Sequence, residues 1–370
     1  MTETLWTILI AVAIMAALTG AMAAALVVAA RYLVNYGRCK VTVNDDREFV
    51  VEGGGKLLDA LMREEIFIPS ACGGRGSCGL CKVKVTSGGG PLLPTETPYL
   101  VEEEVEASVR LSCQVKVRED VAVRIPEELL EVKAYRGVVT EIERLTHDVV
   151  RIAIELLDPD EIDFEVGQYI QLETPAYGPN PEPVYRAYSI ASLPGSKTLE
   201  FLIRRAPDGI CTTWIFEILR EGDTVTFNGP YGEFLLTDEP NPAVFICGAT
   251  GLAPIWPMLN YITEHQSGRK CQLYFGVLSR RDVFYDDKLS ALAARNPNLE
   301  YYLALSKPAE GETWEGETGL ITDVAERHMA EVTDETEAYL CGSPAMIDAC
   351  IDFLKGKGTR EGRIFFDKFT

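Results

Sequence analysis

The chain has 370 residues, of which 56 are acidic and 35 basic, so its formal net charge is -21 at pH 7. A charge of this sign repels phosphate backbones and excludes nucleic acid as an expected partner. The length predicts two or three domains of roughly 100–200 residues each. Ten cysteines in a chain this long predict thiols in a reducing compartment rather than a disulfide framework.

The amino terminus predicts a transmembrane anchor. Residues 4–30 carry no charged side chain and are long enough to span a hydrocarbon core about 30 Å thick. Arg31, Arg38 and Lys40 follow this stretch, whereas Glu3 precedes it, so the positive-inside rule places the later residues in the cytoplasm. The alternative is a cleaved signal peptide, but a positive n-region is missing and the apolar run is longer than usual. We expect a retained anchor over residues 1–34.

Three cysteines with C-x5-C-x2-C spacing lie in a glycine-rich stretch at residues 72–81, and a fourth follows in Leu-Ser-Cys-Gln. The predicted metal ligands are Cys72, Cys78, Cys81 and Cys113. Four thiolates are the usual ligands of a [2Fe–2S] cluster. Zinc is the alternative, but zinc sites usually combine two C-x2-C pairs or cysteine and histidine pairs. Cys39 falls outside the pattern and is expected to be a plain thiol.

The segments around these cysteines predict a small α+β domain of the β-grasp type at residues 39–128. Alternating residues at 40–44 and 48–52 predict a hairpin, and the apolar spacing at 56–63 predicts a helix. A strand is expected at 82–86. The last strand is expected to open at Cys113 and run through Ile125.

Residues 133–237 predict a small antiparallel barrel, with strands at 135–141, 149–156 and 168–173. A run of Arg186, Ala187, Tyr188 and Ser189 lies at its centre. Residues 209–214 are typical of a helix start with Thr212 or Thr213 as cap, which would offer free N–H groups to a phosphate. A structural alternative is a strand with an outward arginine and a packed tyrosine.

Residues 241–370 predict a doubly wound α/β domain, because strands and helices alternate. An apolar strand at 243–247 runs into a glycine turn and then a helix at 255–262, an arrangement that places a helix N-terminus against a pyrophosphate. The full G-x-G-x-x-G is not present. Further strands are expected at 272–278, 299–305 and 337–341, with a helix at 345–355. Arg280 and Arg281 lie where a nucleotide ribose would be bound, and arginines there could bind a 2′-phosphate. Proteins of this kind that use NADH also carry basic residues in this loop, so we favour NADH over NADPH.

The two later domains resemble the ferredoxin-NADP reductase superfamily. The resemblance implies FAD and NADH as cofactors, with Arg186 on the pyrophosphate, Tyr188 on the isoalloxazine and Ser189 near flavin N5. It implies Ser189 and Cys341 as catalytic residues; a buried structural role is the alternative for Cys341. The implied cofactor-binding residues are Arg186, Ala187, Tyr188, Ser189, Gly209, Cys211, Thr212, Thr213, Gly248, Thr250, Gly251, Pro254, Cys341, Gly342 and Phe369. No histidine is assigned a role.

The chain resembles the F subunits of sodium-translocating NADH:quinone reductases in the order of its parts: an anchor, a ferredoxin domain with five residues between its first two cysteines, a flavin barrel and a nicotinamide domain. Supporting stretches include Ser70–Gly74, Leu93–Glu96 and Leu111–Val115. The resemblance implies NADH oxidation, partner membrane subunits and an inner-membrane location with the soluble domains in the cytoplasm. Two alternatives are a reductase component that supplies electrons to an iron oxygenase and a membrane-tethered ferredoxin carrier without an NADH site. Two departures are a shorter segment between Gln168 and Arg186, and Cys247 in place of the first glycine of the turn.

Overall fold

The computed structural model describes residues 2–33, 36–178, 180–309, 311, 313–329 and 332–369. Met1, Val34 and Thr370, at the limits of two predicted domains, lie outside the described residues. By its contacts the chain divides into two compact units, residues 1–68 with 81–130 and residues 69–80 with 131–370. The cysteine-rich stretch therefore belongs to the second unit up to Leu80 and to the first from Cys81.

The first unit begins with helix α1, Thr2–Leu33. Within it, Leu9–Ala29 has a mean hydropathy of 2.3, and the described side chains of this stretch are exposed rather than packed into a core. Over the described part of the chain, α1 is the one helix long and apolar enough to cross a membrane, judged by length and composition. An apolar helix without protein around it suits lipid as its surroundings.

The rest of the first unit is a mixed sheet covered by short helices. Its elements are β1 (Arg38–Val43), β2 (Arg47–Glu52), α2 (Leu57–Arg63), β3 (Lys82–Ser87), α3 (Glu102–Glu106), β4 (Val109–Leu111), β5 (Val121–Arg124) and α4 (Glu127–Leu130). The strand order is β2-β1-β5-β3-β4, with β1 and β5 parallel. Leu57, Leu58 and Leu61 place one face of α2 in the core. This arrangement confirms the predicted α+β class.

The expectation that Cys113 opens the last strand was wrong. The chain turns directly after β4, where the Gln114 and Val115 amides both donate to the Leu111 carbonyl, at 2.8 and 3.2 Å. The last strand, β5, begins at Val121. Cys113 therefore lies in a turn, and the alternation of apolar residues before Val121 misled the strand prediction.

The second unit contains an antiparallel sheet that forms the predicted barrel. Its elements are β6 (Lys133–Arg144), β7 (Val149–Asp158), β8 (Tyr169–Thr174), β9 (Val184–Ser189), β10 (Thr198–Arg204), α5 (Ile210–Glu217) and β11 (Thr224–Tyr231). The order is β10-β7-β6-β11-β8-β9. The amide of Ala191, two residues after β9, donates to the carbonyl of Glu200 within β10 at 2.7 Å, which links the two outer strands. Alternating apolar side chains such as Ile152, Ile154 and Phe227 fill the interior.

A parallel sheet with helices on both faces completes the second unit. Its elements are β12 (Ala243–Gly248), α6 (Leu252–His265), β13 (Cys271–Val277), α7 (Asp286–Arg295), β14 (Leu299–Leu305), β15 (Glu317–Thr318), α8 (Ile321–His328), β16 (Glu337–Gly342), α9 (Pro344–Lys357) and β17 (Ile364–Lys368). The order is β15-β14-β13-β12-β16-β17. Side chains on β12 alternate between two cores, with α6 and α7 on one face and α8 and α9 on the other. The doubly wound class is thus confirmed.

Candidate functional site

Two of the predicted cluster ligands lie together in the segment 69–80. The Sγ atoms of Cys72 and Cys78 are 3.4 Å apart. Gly73, next to Cys72, has φ +63°, and a Cβ there would lie 1.8 Å from Arg186 Nη1 and 2.5 Å from the Tyr185 carbonyl oxygen. Only glycine fits this backbone conformation and this approach. The segment therefore packs directly on β9, the strand that carries the Arg-Ala-Tyr-Ser run.

The other two predicted ligands lie in the first unit, and both are buried. The Ser112 amide and hydroxyl both donate to the Cys81 carbonyl, at 2.8 and 3.0 Å, so the start of β3 is tied to the turn that carries Cys113. A hydrogen bond to Cys113, with burial, raises the pKa of Cys81. A hydrogen bond to Cys72, with burial, likewise raises the pKa of Cys78.

The pKa values of these thiols bear on whether the cysteines are suited to bind a metal. The hydrogen bond from Cys78 lowers the pKa of Cys72, so one thiol of this pair ionises readily while the other resists, because a second thiolate would lie beside the first without a compensating charge. A bound metal supplies that charge and deprotonates coordinating thiols. The thiols of each pair therefore suit an iron–sulfur group by their chemistry, and the four cysteines stay the proposed ligands.

His147, Asp148 and Asp282 form another group of side chains that could bind a metal, but they bind each other and neighbouring protein groups. His147 Nδ1 lies 3.7 Å from Asp148 and 3.6 Å from Asp282. Asp148 also accepts from Arg204 at 2.7 Å, and Asp282 accepts from the Ser279 hydroxyl at 2.6 Å. These partners make the group a cluster of ion pairs and hydrogen bonds within the protein.

The Arg-Ala-Tyr-Ser run lies on β9, half-buried except for Ser189, which is buried. Arg186 Nη1 donates to the Tyr185 carbonyl at 2.6 Å. Among the described residues, no carboxylate forms an ion pair with this guanidinium. Burial and the neighbouring Arg75 lower the pKa of Arg186. A half-buried cation without a protein anion suits an anionic ligand such as a pyrophosphate.

Helix α5 begins beside this strand. The expected cap was wrong: Gly209 is the N-cap, without a side-chain cap bond, and Thr212 is the third helical residue. The Thr212 hydroxyl accepts from the Ala206 amide at 3.2 Å and so closes the turn before the helix. The N–H groups of the first helical turn are thus left for a ligand. Cys211, at the start of the helix, is buried, and burial raises the pKa of both Cys211 and Tyr188.

The glycine turn after β12 packs on β16 at the carboxyl ends of the parallel strands. A Cβ on Gly251 would lie 2.2 Å from the Cys341 carbonyl oxygen, so only glycine permits this approach. Thr250 and Pro254, which flank it, are buried. Crevices at the carboxyl ends of parallel strands are where α/β sheets bind nucleotides.

Cys341 lies opposite Cys247 on β12 and Asp367 on β17. Its side chain is fully buried, and burial raises the pKa of its thiol. The Phe369 amide donates to the Gly342 carbonyl at 2.9 Å, which holds the last described residue beside this turn. Cys247, where related turns have glycine, is also fully buried and packs in the core.

Sequence reasoning missed three residues at this site. Burial raises the pKa of Asp367 to about 6. Burial, together with the Asp367 carboxylate, also raises the pKa of Tyr169 on the barrel and of Cys341 on the sheet. Met346 covers the turn, since its Sδ would lie 2.8 Å from a Cβ on Gly248. Gln171 is fully buried and bonds the cysteine segment. No local pattern marks these residues, because each acts through contacts distant in sequence.

Three family models match the chain, in the order that the structure shows. Residues 41–118 match the 2Fe-2S iron-sulfur cluster binding domain, residues 136–235 the oxidoreductase FAD-binding domain, and residues 245–352 the oxidoreductase NAD-binding domain. The chain therefore combines domains for a [2Fe–2S] cluster, FAD and NAD.

Solved structures share this fold. The cytochrome P450 reductase GcoB of Amycolatopsis is 29% identical, with a TM-score of 0.69 over 90% of this chain and 99% of that one. The ferredoxin reductase in carbazole 1,9a-dioxygenase is 23% identical, with a TM-score of 0.68 over 90% and 98%. The second likeness supports the fold alone.

Sequence relatives extend over nearly the whole chain. The F subunit of the Na(+)-translocating NADH-quinone reductase of Neisseria gonorrhoeae is 35% identical over 94% of this chain and 96% of its own length. The corresponding F subunit of Pseudomonas aeruginosa is 33% identical over 98% of both chains. The chain belongs to the family of F subunits of the Na(+)-translocating NADH-quinone reductases.

Proposed function

We propose that this protein is the electron-input subunit of a membrane-bound NADH:quinone reductase that translocates sodium. The observation that carries the proposal is the succession, in one chain, of an apolar helix and domains for a [2Fe–2S] cluster, FAD and NAD. When bound, FAD accepts a hydride with two electrons from NADH, and the cluster carries one electron at a time. The chain itself supplies placement and electrostatics.

The proposed domains are 39–128 for the cluster, 133–237 for FAD and 241–370 for NADH, with the anchor in 1–34. The family matches at 41–118, 136–235 and 245–352 support these limits.

For the flavin, Arg186 would pair with the pyrophosphate, and the first turn of α5 would offer its amides. Tyr188, which packs against the barrel core, would stack on the ring. Ser189, directly opposite Tyr169 on β8, would bond near flavin N5. Ala187, Gly209, Thr212 and Thr213 would line the same site through their backbone.

For NADH, the turn at Gly248, Thr250, Gly251 and Pro254 would hold the pyrophosphate at the start of α6. Cys341, Gly342 and Phe369 would shape the space for the nicotinamide, where hydride transfer takes place. Because the Cys341 pKa is raised by burial, the thiol stays neutral and acts by shape rather than as a nucleophile. We favour NADH over NADPH because the relatives that match nearly the whole chain are subunits of NADH-quinone reductases.

The protein would be anchored by α1 in the inner membrane, with residues from 38 onward in the cytoplasm. The charge asymmetry around α1 supports this orientation, and the net charge of -21 argues against nucleic acid. Other subunits of the complex would take the electrons from the cluster and pass them to a quinone. The alternative, a reductase for an iron oxygenase, shares all three domains; the solved structures named for a P450 and a dioxygenase have this architecture. The apolar helix and the nearly full-length relatives among the F subunits support the quinone reductase.

The test uses the full-length protein purified from membranes in detergent. Addition of NADH without oxygen should bleach the flavin absorbance and then produce the paramagnetic signal of a reduced [2Fe–2S] cluster. Co-purification of polytopic membrane subunits supports the quinone reductase, whereas an iron oxygenase partner supports the alternative. A flavin that NADH does not bleach contradicts both enzyme functions.

A further inference from the structure

A chain of buried polar side chains connects the cysteine segment 69–80 with the barrel. The Ser70 amide donates to Gln171 Oε1 at 2.8 Å, Gln171 Nε2 donates to Asn228 Oδ1 at 3.0 Å, and the Tyr231 hydroxyl donates to the same oxygen at 2.6 Å. Ser70, Gln171, Asn228 and Tyr231 are each at most 3% exposed. All of them belong to the second unit.

The orientation of the Gln171 amide follows from its partners. A backbone N–H can only donate, so Oε1 must face Ser70, and Nε2 must then face an acceptor on Asn228. Gln171 lies between Asn228 on β11 and Ala187 on β9 in the strand register. It therefore bonds the cysteine segment from a position directly beside the proposed flavin strand.

The bond at Ser70 continues into the segment itself. The Ser70 hydroxyl accepts from the Gly74 amide at 2.9 Å, and the Ser70 carbonyl accepts from the Gly73 amide at 3.0 Å. These two bonds close the turn that contains Cys72. The bond from Ser70 to Gln171 thus holds the turn that contains Cys72 in place, while Gly73 packs on Arg186.

Burial makes this connection specific. A buried donor or acceptor that loses its partner bears its full desolvation cost, so the segment is held in one position only while the chain of bonds is complete. An apolar side chain at position 171 would pack but would leave the buried Ser70 amide without its acceptor, and Asn228 Oδ1 would keep only the Tyr231 hydroxyl as donor. Nothing in cysteine spacing or in flavin binding requires such a link.

We propose that Gln171 is a positioning residue that holds the cysteine segment 69–80 against β9, so that electrons pass from the flavin site to the cluster within this chain. The inference rests on the proposed function. Each NADH supplies a hydride with two electrons; both leave the flavin singly through this contact, and the flavin protons pass to solvent. The cluster is oxidised again by the next acceptor, either another subunit or an added one-electron oxidant.

The experiment compares full-length wild type with Gln171→Met and with the control Gln272→Met, which alters a buried strand glutamine of the parallel sheet. Stopped-flow absorbance measures flavin and cluster reduction by NADH in the same sample. We expect Gln171→Met to slow cluster reduction several-fold relative to flavin reduction, because a displaced cysteine segment lengthens the distance over which each electron is transferred. Gln272→Met should keep the wild-type ratio.

Hydrogen exchange supplies a readout that does not depend on turnover. The Ser70 and Gly74 amides should exchange faster in Gln171→Met than in wild type, with or without bound FAD. A wild-type ratio together with wild-type exchange overturns the inference but leaves the proposed function intact. A wild-type protein whose flavin NADH does not reduce overturns the proposed function instead.

If Gln171→Met does not fold, Gln171→Glu decides. When protonated, its carbonyl can accept from Ser70 and its hydroxyl can donate to Asn228, as the amide does; when ionised, it has no donor. The ratio of cluster to flavin reduction should therefore approach the wild-type value at low pH and fall as the carboxyl ionises. A ratio that shows no dependence on pH beyond that of wild type contradicts the inference.

Discussion

The contact between Gly251 and Cys341 allows a quantitative test of the nicotinamide site. In Gly251→Ala the new Cβ would lie 2.2 Å from the Cys341 carbonyl oxygen and 2.6 Å from its carbon. Both atoms are backbone, so no flexible side chain can move away. The separation must grow from 2.2 Å to the 3.4 Å at which ordinary contact begins, which moves the start of α6 away from β16.

The expected cost has two parts. Overpacking of this kind destabilises a fold by about 1–3 kcal/mol. Displacing a binding element by about 1 Å lowers kcat/KM by up to about 10²-fold, which corresponds to about 2.7 kcal/mol. We expect a raised KM for NADH together with a lower kcat/KM.

The assay is steady-state NADH oxidation with ferricyanide, with flavin content measured by absorbance. The matched control is Gly276→Ala on the neighbouring strand β13, where a Cβ would meet its nearest atom, Ile321 Cβ, at 3.5 Å. This control should keep wild-type kinetics. Wild-type kcat/KM in Gly251→Ala would refute the placement of the nicotinamide site at this turn.

Three further predictions concern the cluster, the first unit and the site carboxylate. Cys78→Ala should remove the cluster's paramagnetic signal while NADH still reduces the flavin; loss of both would argue against separate modules. The buried Glu96 carboxylate accepts hydrogen bonds from Arg110 Nε and Nη2, at 2.9 and 2.7 Å, and from the amides of Leu93 and Leu111. Glu96→Ala should therefore lower the free energy of unfolding of the first unit by about 3–5 kcal/mol. Denaturant unfolding measures this loss, with Glu103→Ala, at an exposed position, as the control. Burial would raise the pKa of Glu96, but the hydrogen bonds from Arg110 outweigh it and lower that pKa. The free energy of unfolding of the wild type should therefore fall as the pH drops through the folded-state pKa of Glu96. Equal acid sensitivity in Glu96→Ala would contradict this prediction. Burial raises the pKa of Asp367 to about 6, so the folded protein keeps a proton that the unfolded chain releases near pH ~4; the free energy of unfolding should fall as pH rises through that window, and Asp367→Asn should flatten this fall if the carboxyl is its source.

Much of the secondary structure could be predicted locally. The strand at 299–305 was predicted with its observed bounds, and the helix predicted at 56–63 is α2, one residue shorter. Their apolar periods match one face of a helix or a buried strand, and such periods are properties of the local sequence. The errors fell where a turn competed with a pattern, as at Cys113 and at the start of α5. There the deciding hydrogen bonds, from Gln114 to Leu111 and from Ala206 to Thr212, leave no mark in residue type.

The sequence by itself determined the chemistry of this protein, because cysteine spacing, the Arg-Ala-Tyr-Ser run and the glycine turn name the groups that can be bound. Only the tertiary structure decided how the segment around Cys72 is held. Gln171 and Asn228 are far from that segment in sequence, and polar residues in strands are usually expected to face solvent. Folding buries them beside Ser70, where Gln171 bonds both the Ser70 amide and Asn228. The tertiary structure likewise brings Asp367 beside Cys341, where burial rather than residue type sets its pKa.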